Sequence, residues 1–186
     1  ITPHRYTPQY DQSEKTGIYC VQFVYFRNNQ QGRKVLTWWR KACLEWCYNR
    51  FEDGRFGDQK YLDDWPERFE GVHVLQHLGG GVAPWNMQQY RFEQQGKEII
   101  GIELETEKQF PLVFYHFHSL VFVTPFYFSP RPYYKRNDST IILLFNPYVK
   151  EIVKLRKQYA LGKMEHYLSG WKFFKYLAEV FVRRGF

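Results

Sequence analysis

Gly17-Ile18-Tyr19-Cys20-Val21-Gln22-Phe23-Val24-Tyr25-Phe26 is a long β-favouring run near the start of this 186-residue chain. It is apolar on both faces, the pattern of a strand at the centre of an α/β sheet. Asn28-Asn29 breaks it. The residues before it, Ile1 to Glu14, are polar and turn-rich, with Pro3, His4, Arg5, Tyr6 and Pro8, and read as a loop leaving a strand edge.

After the break the periodicity changes. From Gln31 to about Asn49, Val35, Trp39, Ala42, Cys43 and Trp46 recur at helical spacing, with Arg33, Lys34, Arg40, Lys41 and Arg50 elsewhere around the wheel. Large aromatics in such a stripe belong to a core before they belong to a ligand platform. The loop Asp53-Gly54-Arg55-Phe56-Gly57 leads into Asp58-Gln59, a short helical pattern and Pro66. Asp58 can cap that turn, its carboxylate accepting N–H groups that no helical carbonyl satisfies. Val72-His73-Val74-Leu75 reads as a short strand.

Gly79-Gly80-Gly81 follows His77-Leu78 and precedes Val82-Ala83-Pro84-Trp85-Asn86. Three glycines let backbone approach a ligand closely. The loop lacks the Lys-Ser/Thr ending of a nucleotide P-loop and runs into Pro instead of a helix. Gln88 to Glu107 reads as a polar hairpin, with Glu103, Glu105 and Glu107 on one strand face. Such a face is solvated or, less often, a carboxylate cluster for a metal. Leu112 to Leu120 reads as a buried strand in which His116 and His118 share a face. That geometry suits a metal or simply hydrogen-bonded structure. Asn146-Pro147 should open a helix with Asn as its cap.

The +7 net charge is unevenly placed: Lys150 to Phe186 holds nine Lys/Arg against three Glu, leaving the body near neutral. A basic nucleic-acid groove across the domain is therefore excluded, and no nucleic-acid partner is expected. Trp171, Phe174, Ala178 and Phe181 form an apolar stripe flanked by Lys172, Lys175, Arg183 and Arg184. Residues 171–184 would then either contact an anionic membrane surface or cap the core. Cys20, Cys43 and Cys47 are too few for a metal site; Cys43 and Cys47, one helical turn apart, read as packed thiols, and the set suits a reducing compartment. No apolar run reaches membrane-spanning length. Ile1 reads as lying inside an element, as in a piece of a longer protein.

Residues 1 to 120 resemble the C-terminal half of a GT-A-fold glycosyltransferase, of the glycogenin-like and lipopolysaccharide-galactosyltransferase type. The likeness rests on the order of Ile1-Thr2-Pro3-His4-Arg5, the run from Gly17, the Trp-bearing helix, Gly57-Asp58-Gln59, Ala83-Pro84-Trp85-Asn86 and His116-Phe117. It implies a mixed-sheet α/β domain over 1–137, the acceptor-side part of that fold, with a basic helical tail over 138–186. It puts Asp58 and Gln59 at the donor sugar. His4, Arg5, Gly80, Pro84, Trp85 and Asn86 would line the substrates.

In that family a histidine joins an Asp-x-Asp motif on Mn²⁺ or Mg²⁺. His116 ends a strand in the matching place, with His118 and His77 as alternatives. His77-Leu78-Gly79-Gly80-Gly81-Val82-Ala83-Pro84-Trp85 also matches a family pattern, with Ala83 where a Lys would stand. Ser119 replaces a Gly in the other match. No Asp-x-Asp occurs in the chain, so those ligands would precede Ile1, and this stretch alone would be inactive. The resemblance thus implies a metal-dependent transferase moving a sugar from a nucleotide diphosphate sugar to a saccharide or lipid-linked acceptor, in surface polysaccharide synthesis. It would be cytoplasmic, either free or peripheral on the inner face of the membrane. The alternative is a non-catalytic carbohydrate-binding or interaction domain.

Overall fold

In a computed structural model, which describes residues 1–118, 120–122, 128–130 and 133–159, the run from Gly17 to Phe26 gives only two residues to a sheet. Strand β1 (Thr2–Pro3) pairs antiparallel with β2 (Tyr19–Cys20), placing Thr2 opposite Cys20 and Pro3 opposite Tyr19. The short helix α1 (Ser13–Thr16) lies between them in sequence. Beyond Cys20 the chain turns, and the expected central strand is absent. The run's hydrophobicity goes into packing instead of a ladder. Tyr19, Val21, Val24 and Phe26 lie against the buried cluster of Val35, Leu62 and Trp65, while Phe23 and Tyr25 face solvent. Strand propensity measures fit to a half-buried surface, and a surface other than a sheet satisfies it here.

Helix α2 (Gln30–Glu45) matches the helical spacing closely. Its cap is Asn29, whose side chain accepts the Gly32 N–H. Val35 is buried, and Trp39 meets Trp65 edge to face at 5.6 Å, so the Trp stripe is core. The Tyr61 hydroxyl donates to the carbonyls of Ala42 and Trp46, satisfying acceptors at the helix C-terminus. A 3₁₀ turn (Lys60–Leu62) and helix α3 (Trp65–Arg68) follow. Asp58 does not cap this turn: Gln59 precedes it in helical conformation with no side-chain cap bond. Residues 72–75 form no strand, although the Leu75 N–H donates to the Ile1 carbonyl at 2.9 Å.

The chain is mixed α/β and divides into two units, Ile1–Asn86 with Leu112–His116, and Met87–Pro111 with the residues from Phe117 onward. In the second, β3 (Tyr90–Gln95), β4 (Glu98–Glu103) and β5 (Gln109–Pro111) form an antiparallel sheet in the order β3-β4-β5. Gly96, at φ 62°, turns the expected hairpin. The three glutamates do not share a strand face, because β4 ends at Glu103 and Glu107 sits at φ 56°. Glu107 pairs with Arg91 at 2.9 Å, and Glu103 accepts from the Thr106 hydroxyl. Strand β6 (Leu120–Phe122) pairs antiparallel with β7 (Phe128–Pro130).

Helix α4 (Asp138–Thr140) runs through a π-helical segment at 141–145 into α5 (Asn146–Gln158). The cap expected at Asn146 falls on Asn137, whose side-chain oxygen takes the Thr140 N–H at 2.9 Å. Pro147 lacks an N–H and crowds the preceding turn, and the wider π turn just before it accommodates that fault. The boundary expected between 137 and 138 falls within the second unit. There the Asn137 amide donates to the Tyr90 carbonyl at 3.3 Å and the Ser139 hydroxyl accepts from the Phe92 N–H at 3.4 Å. The basic stripe at 171–184 lies outside the described residues. Among the described residues no helix is long and apolar enough to cross a membrane.

Candidate functional site

His4 is the centre of the first unit's polar core. Its main chain extends the β1–β2 pairing, the N–H donating to the Ile18 carbonyl at 2.9 Å. The ring is 2% exposed, stacks on Tyr6 at 4.6 Å and meets Trp85 edge-on at 5.2 Å. Burial pushes this imidazole down to about 4, opposed by hydrogen bonds with the Ile18 and Gly17 backbone and assisted by the His116 charge. At neutral pH it is an uncharged ring, and its buried Nδ1 has no hydrogen-bond partner.

Trp85 meets a second imidazole, that of His116, edge-on at 5.4 Å. Three backbone hydrogen bonds bring His116 there. Val113 and Phe114 donate to the Gly79 carbonyl, and His116 donates to Val82 O at 2.9 Å, beside a parallel bridge between Tyr115 and Val82. Over 112–118 the segment is otherwise not a strand, and Val113 is 67% exposed, so there the expected buried strand is replaced by this short pairing. His118 is exposed and belongs to the second unit, so the two histidines do not share a strand face. His77 is exposed at the start of the Leu78–Gly80 turn.

Gly80, Gly81, Pro84, Trp85 and Asn86 are all buried, so the glycine-rich stretch and the Pro-Trp-Asn motif form one internal loop. Asn86 donates from Nδ2 to His4 O and Gly81 O, each at 2.8 Å, and accepts the Ala83 N–H at 2.9 Å. Trp85 Nε1 donates to the same His4 carbonyl at 3.1 Å. Arg5 holds φ 47°, a left-handed conformation uncommon outside glycine, and its guanidinium donates to the Leu75 carbonyl.

Gln59 joins this group through intermediates. Its Nε2 donates to Thr16 O at 2.8 Å, the Thr16 hydroxyl lies 2.9 Å from Tyr6 OH, and Tyr6 stacks on His4. Lys60 donates to Ser13 O and the Asp63 carboxylate accepts the Ile18 N–H, so the stretch after Asp58 clamps residues 13–18. Asp58 itself receives Trp39 Nε1 on its main-chain oxygen at 2.8 Å. Its carboxylate bears on the Cys20 and Cys43 thiols, both pushed up to about 11, chiefly by burial. His4, Trp85, Asn86 and His116 are thus brought together, and Gln59 is linked to them.

Sequence reading missed Tyr6, Thr16 and Gln22. Gln22 carried a signal, being the one side-chain amide inside an otherwise apolar run. Its Nε2 and Oε1 are both buried and neither has a hydrogen-bond partner. Among the described residues no three His, Cys, Asp or Glu side chains gather as a metal site. The described residues alone therefore do not complete a site for Mn²⁺ or Mg²⁺, and the side chains that meet Trp85 include two imidazoles, His4 and His116.

No protein-family model matches the chain, and no solved structure matches it. It is similar to two proteins of Bacillus subtilis (strain 168). Uncharacterized protein YfnD is 33% identical over 153 residues, which are 80% of this chain and 47% of that protein. Uncharacterized protein YfnF is 37% identical over 101 residues, 54% of this chain and 32% of that protein. The chain thus spans less than half the length of the curated relatives it matches.

Proposed function

We propose that the chain is the acceptor-side part of a GT-A-fold glycosyltransferase that moves a sugar from a nucleotide diphosphate sugar to a saccharide or lipid-linked acceptor. What supports the reading is the meeting of His4, Trp85 and His116, the Trp85 ring centroid lying 5.2 Å from that of His4 and 5.4 Å from that of His116. These residues come from three separate stretches that carry the resemblance, and the fold collects them within one unit.

Sugar transfer develops positive charge at the sugar and negative charge on the departing phosphate. Asp58 would orient or stabilise the former. A divalent cation would neutralise the latter, held by His116 together with carboxylates that the described residues do not supply. The buried, uncharged His4 holds Tyr6 and Trp85 in place without adding a charge.

The test is release of nucleoside diphosphate by the full-length protein from a panel of nucleotide diphosphate sugars, with Mn²⁺ or Mg²⁺ and after chelation. Metal-dependent release from at least one donor is expected. A folded protein that hydrolyses and transfers none of them is instead the carbohydrate-binding or interaction domain.

A further inference from the structure

Helix α2 turns one apolar side to the core, through Val35 and the contact of Trp39 with Trp65, yet its outer face is not simply polar. Leu36 and Leu44 stand on that face, 43% and 70% exposed, with Arg33, Lys34, Arg40 and Lys41 exposed around them. By helical spacing Arg33, Leu36, Arg40 and Leu44 fall within an arc of about 80°. Tyr48 and Phe51 follow the helix end and are also exposed, and Arg50 lies over the Tyr48 ring at 4.7 Å. The acids of this stretch are neutralised locally, Glu45 by Lys41, Glu52 by Arg50 and Asp53 by Arg55. Among the described residues Arg33, Lys34 and Arg40 make no ion pair, so the face keeps three uncompensated positive charges.

We propose that the outer face of α2, with Tyr48 and Phe51, is a membrane-contact surface that seats on a bilayer carrying anionic headgroups. Single exposed leucines are ordinary on a protein surface. Two on the same arc as uncompensated cations make the composition of a helix that lies in a membrane interface. The leucines and Phe51 enter the boundary between headgroups and acyl chains. The aliphatic stems of Arg33, Lys34 and Arg40 lie along it, and their charged heads reach lipid phosphates. Tyr48 suits the same depth, where an aromatic ring meets apolar and polar surroundings together. A helix face is convex, and a bilayer receives it without needing a groove. A nucleic acid would pair the charges and leave the leucines in water. The surface is read from α2 itself, is separate in sequence from the stripe at 171–184, and stands whether or not the protein transfers a sugar.

Co-sedimentation of the full-length protein with vesicles tests this, using phosphatidylcholine alone and phosphatidylcholine in which about one lipid in three is phosphatidylglycerol. Wild type should bind the anionic vesicles at least about tenfold more tightly than the neutral ones. Lys34→Glu with Arg40→Glu should weaken that binding at least about 25-fold, from about fivefold for each cation near the surface. Leu36→Ser with Leu44→Ser should weaken it at least about tenfold, because the pair removes apolar area that leaves water on docking. All four side chains are exposed, so each double variant should melt within about 2 °C of wild type. Equal binding of wild type to both vesicles, or to neither, overturns the proposal. Binding that both double variants retain places the contact elsewhere in the protein and also overturns it. Loss with the charge reversal alone would mean a polyanion or acidic-protein surface, and loss with the serine pair alone an apolar protein partner; either result overturns the membrane surface. A serine pair that melts more than about 5 °C lower would show that the leucines pack within the full-length protein, and overturns it too.

Discussion

Asn86 donates from Nδ2 to the main-chain carbonyl of His4 at 2.8 Å, joining residues 82 positions apart. The same amide closes its own loop through Gly81 O and the Ala83 N–H. A side chain 1% exposed and bonded at both ends to backbone holds the His4 strand against the glycine-rich loop. Pro84-Trp85-Asn86 therefore has a structural role whatever binds beside it, and its motif-like spacing alone cannot separate that role from ligand contact.

Asn86→Leu keeps the volume and removes the three bonds, leaving the Gly81 carbonyl and the Ala83 N–H buried without their amide partner. The expected loss is roughly 2–4 kcal/mol of unfolding free energy, from penalties of about 1–3 kcal/mol for each stranded group. Urea denaturation at neutral pH measures it. A loss below about 0.5 kcal/mol would show that the loop closes without the amide.

Stability should fall on mild acidification, and His4 gives the sign. Its folded-state pKa lies at about 4, below the ordinary 6.5, so between these values the unfolded chain binds a proton that the folded chain refuses. The contribution is fully present above pH 6.5 and is lost as pH drops toward 4, by roughly 3 kcal/mol at most. Denaturation curves at pH 7, 6 and 5 should show this slope, and His4→Gln should flatten it. An unchanged slope in the variant would assign the effect to other groups.

Elements with local causes were legible in the sequence. Helix α2 followed from its apolar spacing, and the polar hairpin read over Gln88 to Glu107 contains the β3–β4 pair. The run from Gly17 to Phe26 was misleading because its β-branched and aromatic residues fit any half-buried surface, and the surface here is that of Val35, Leu62 and Trp65. Asn137 was overlooked because Asn146-Pro147 has the stronger local cap signature, while the π segment lets the helix start earlier. The approach of His4 to Trp85 and His116 depends on hydrogen bonds between distant backbone segments, which no residue spacing records.

Asp58 and Gln59 should separate in their effects. In the full-length protein, Asp58→Asn should lower transfer by about 100-fold or more with an unchanged melting temperature, as expected for a group acting on transition-state charge. Gln59→Leu removes the bond to Thr16 O and should cost about 1 kcal/mol of stability. Steady-state kinetics beside thermal melts distinguish the two. Wild-type transfer by Asp58→Asn would remove it from the donor site.

His116 and His77 offer the sharpest choice between the two motif matches. The fold link at His116 is its backbone N–H on Val82 O, which an alanine retains, so His116→Ala removes the imidazole and its edge contact with Trp85 while the 112–116 segment stays paired. His77 is exposed, and its alanine variant should fold equally well. If His116 is the metal-side residue, Mn²⁺-dependent binding of a nucleoside diphosphate to the full-length protein should weaken by about tenfold or more in His116→Ala. In His77→Ala it should stay within about twofold of wild type. Calorimetric titration with and without Mn²⁺ reads both, and circular dichroism checks that each variant is folded. The reverse order would shift the metal-side role to the turn that opens Gly79-Gly80-Gly81, and the nest around Trp85 would then serve packing alone.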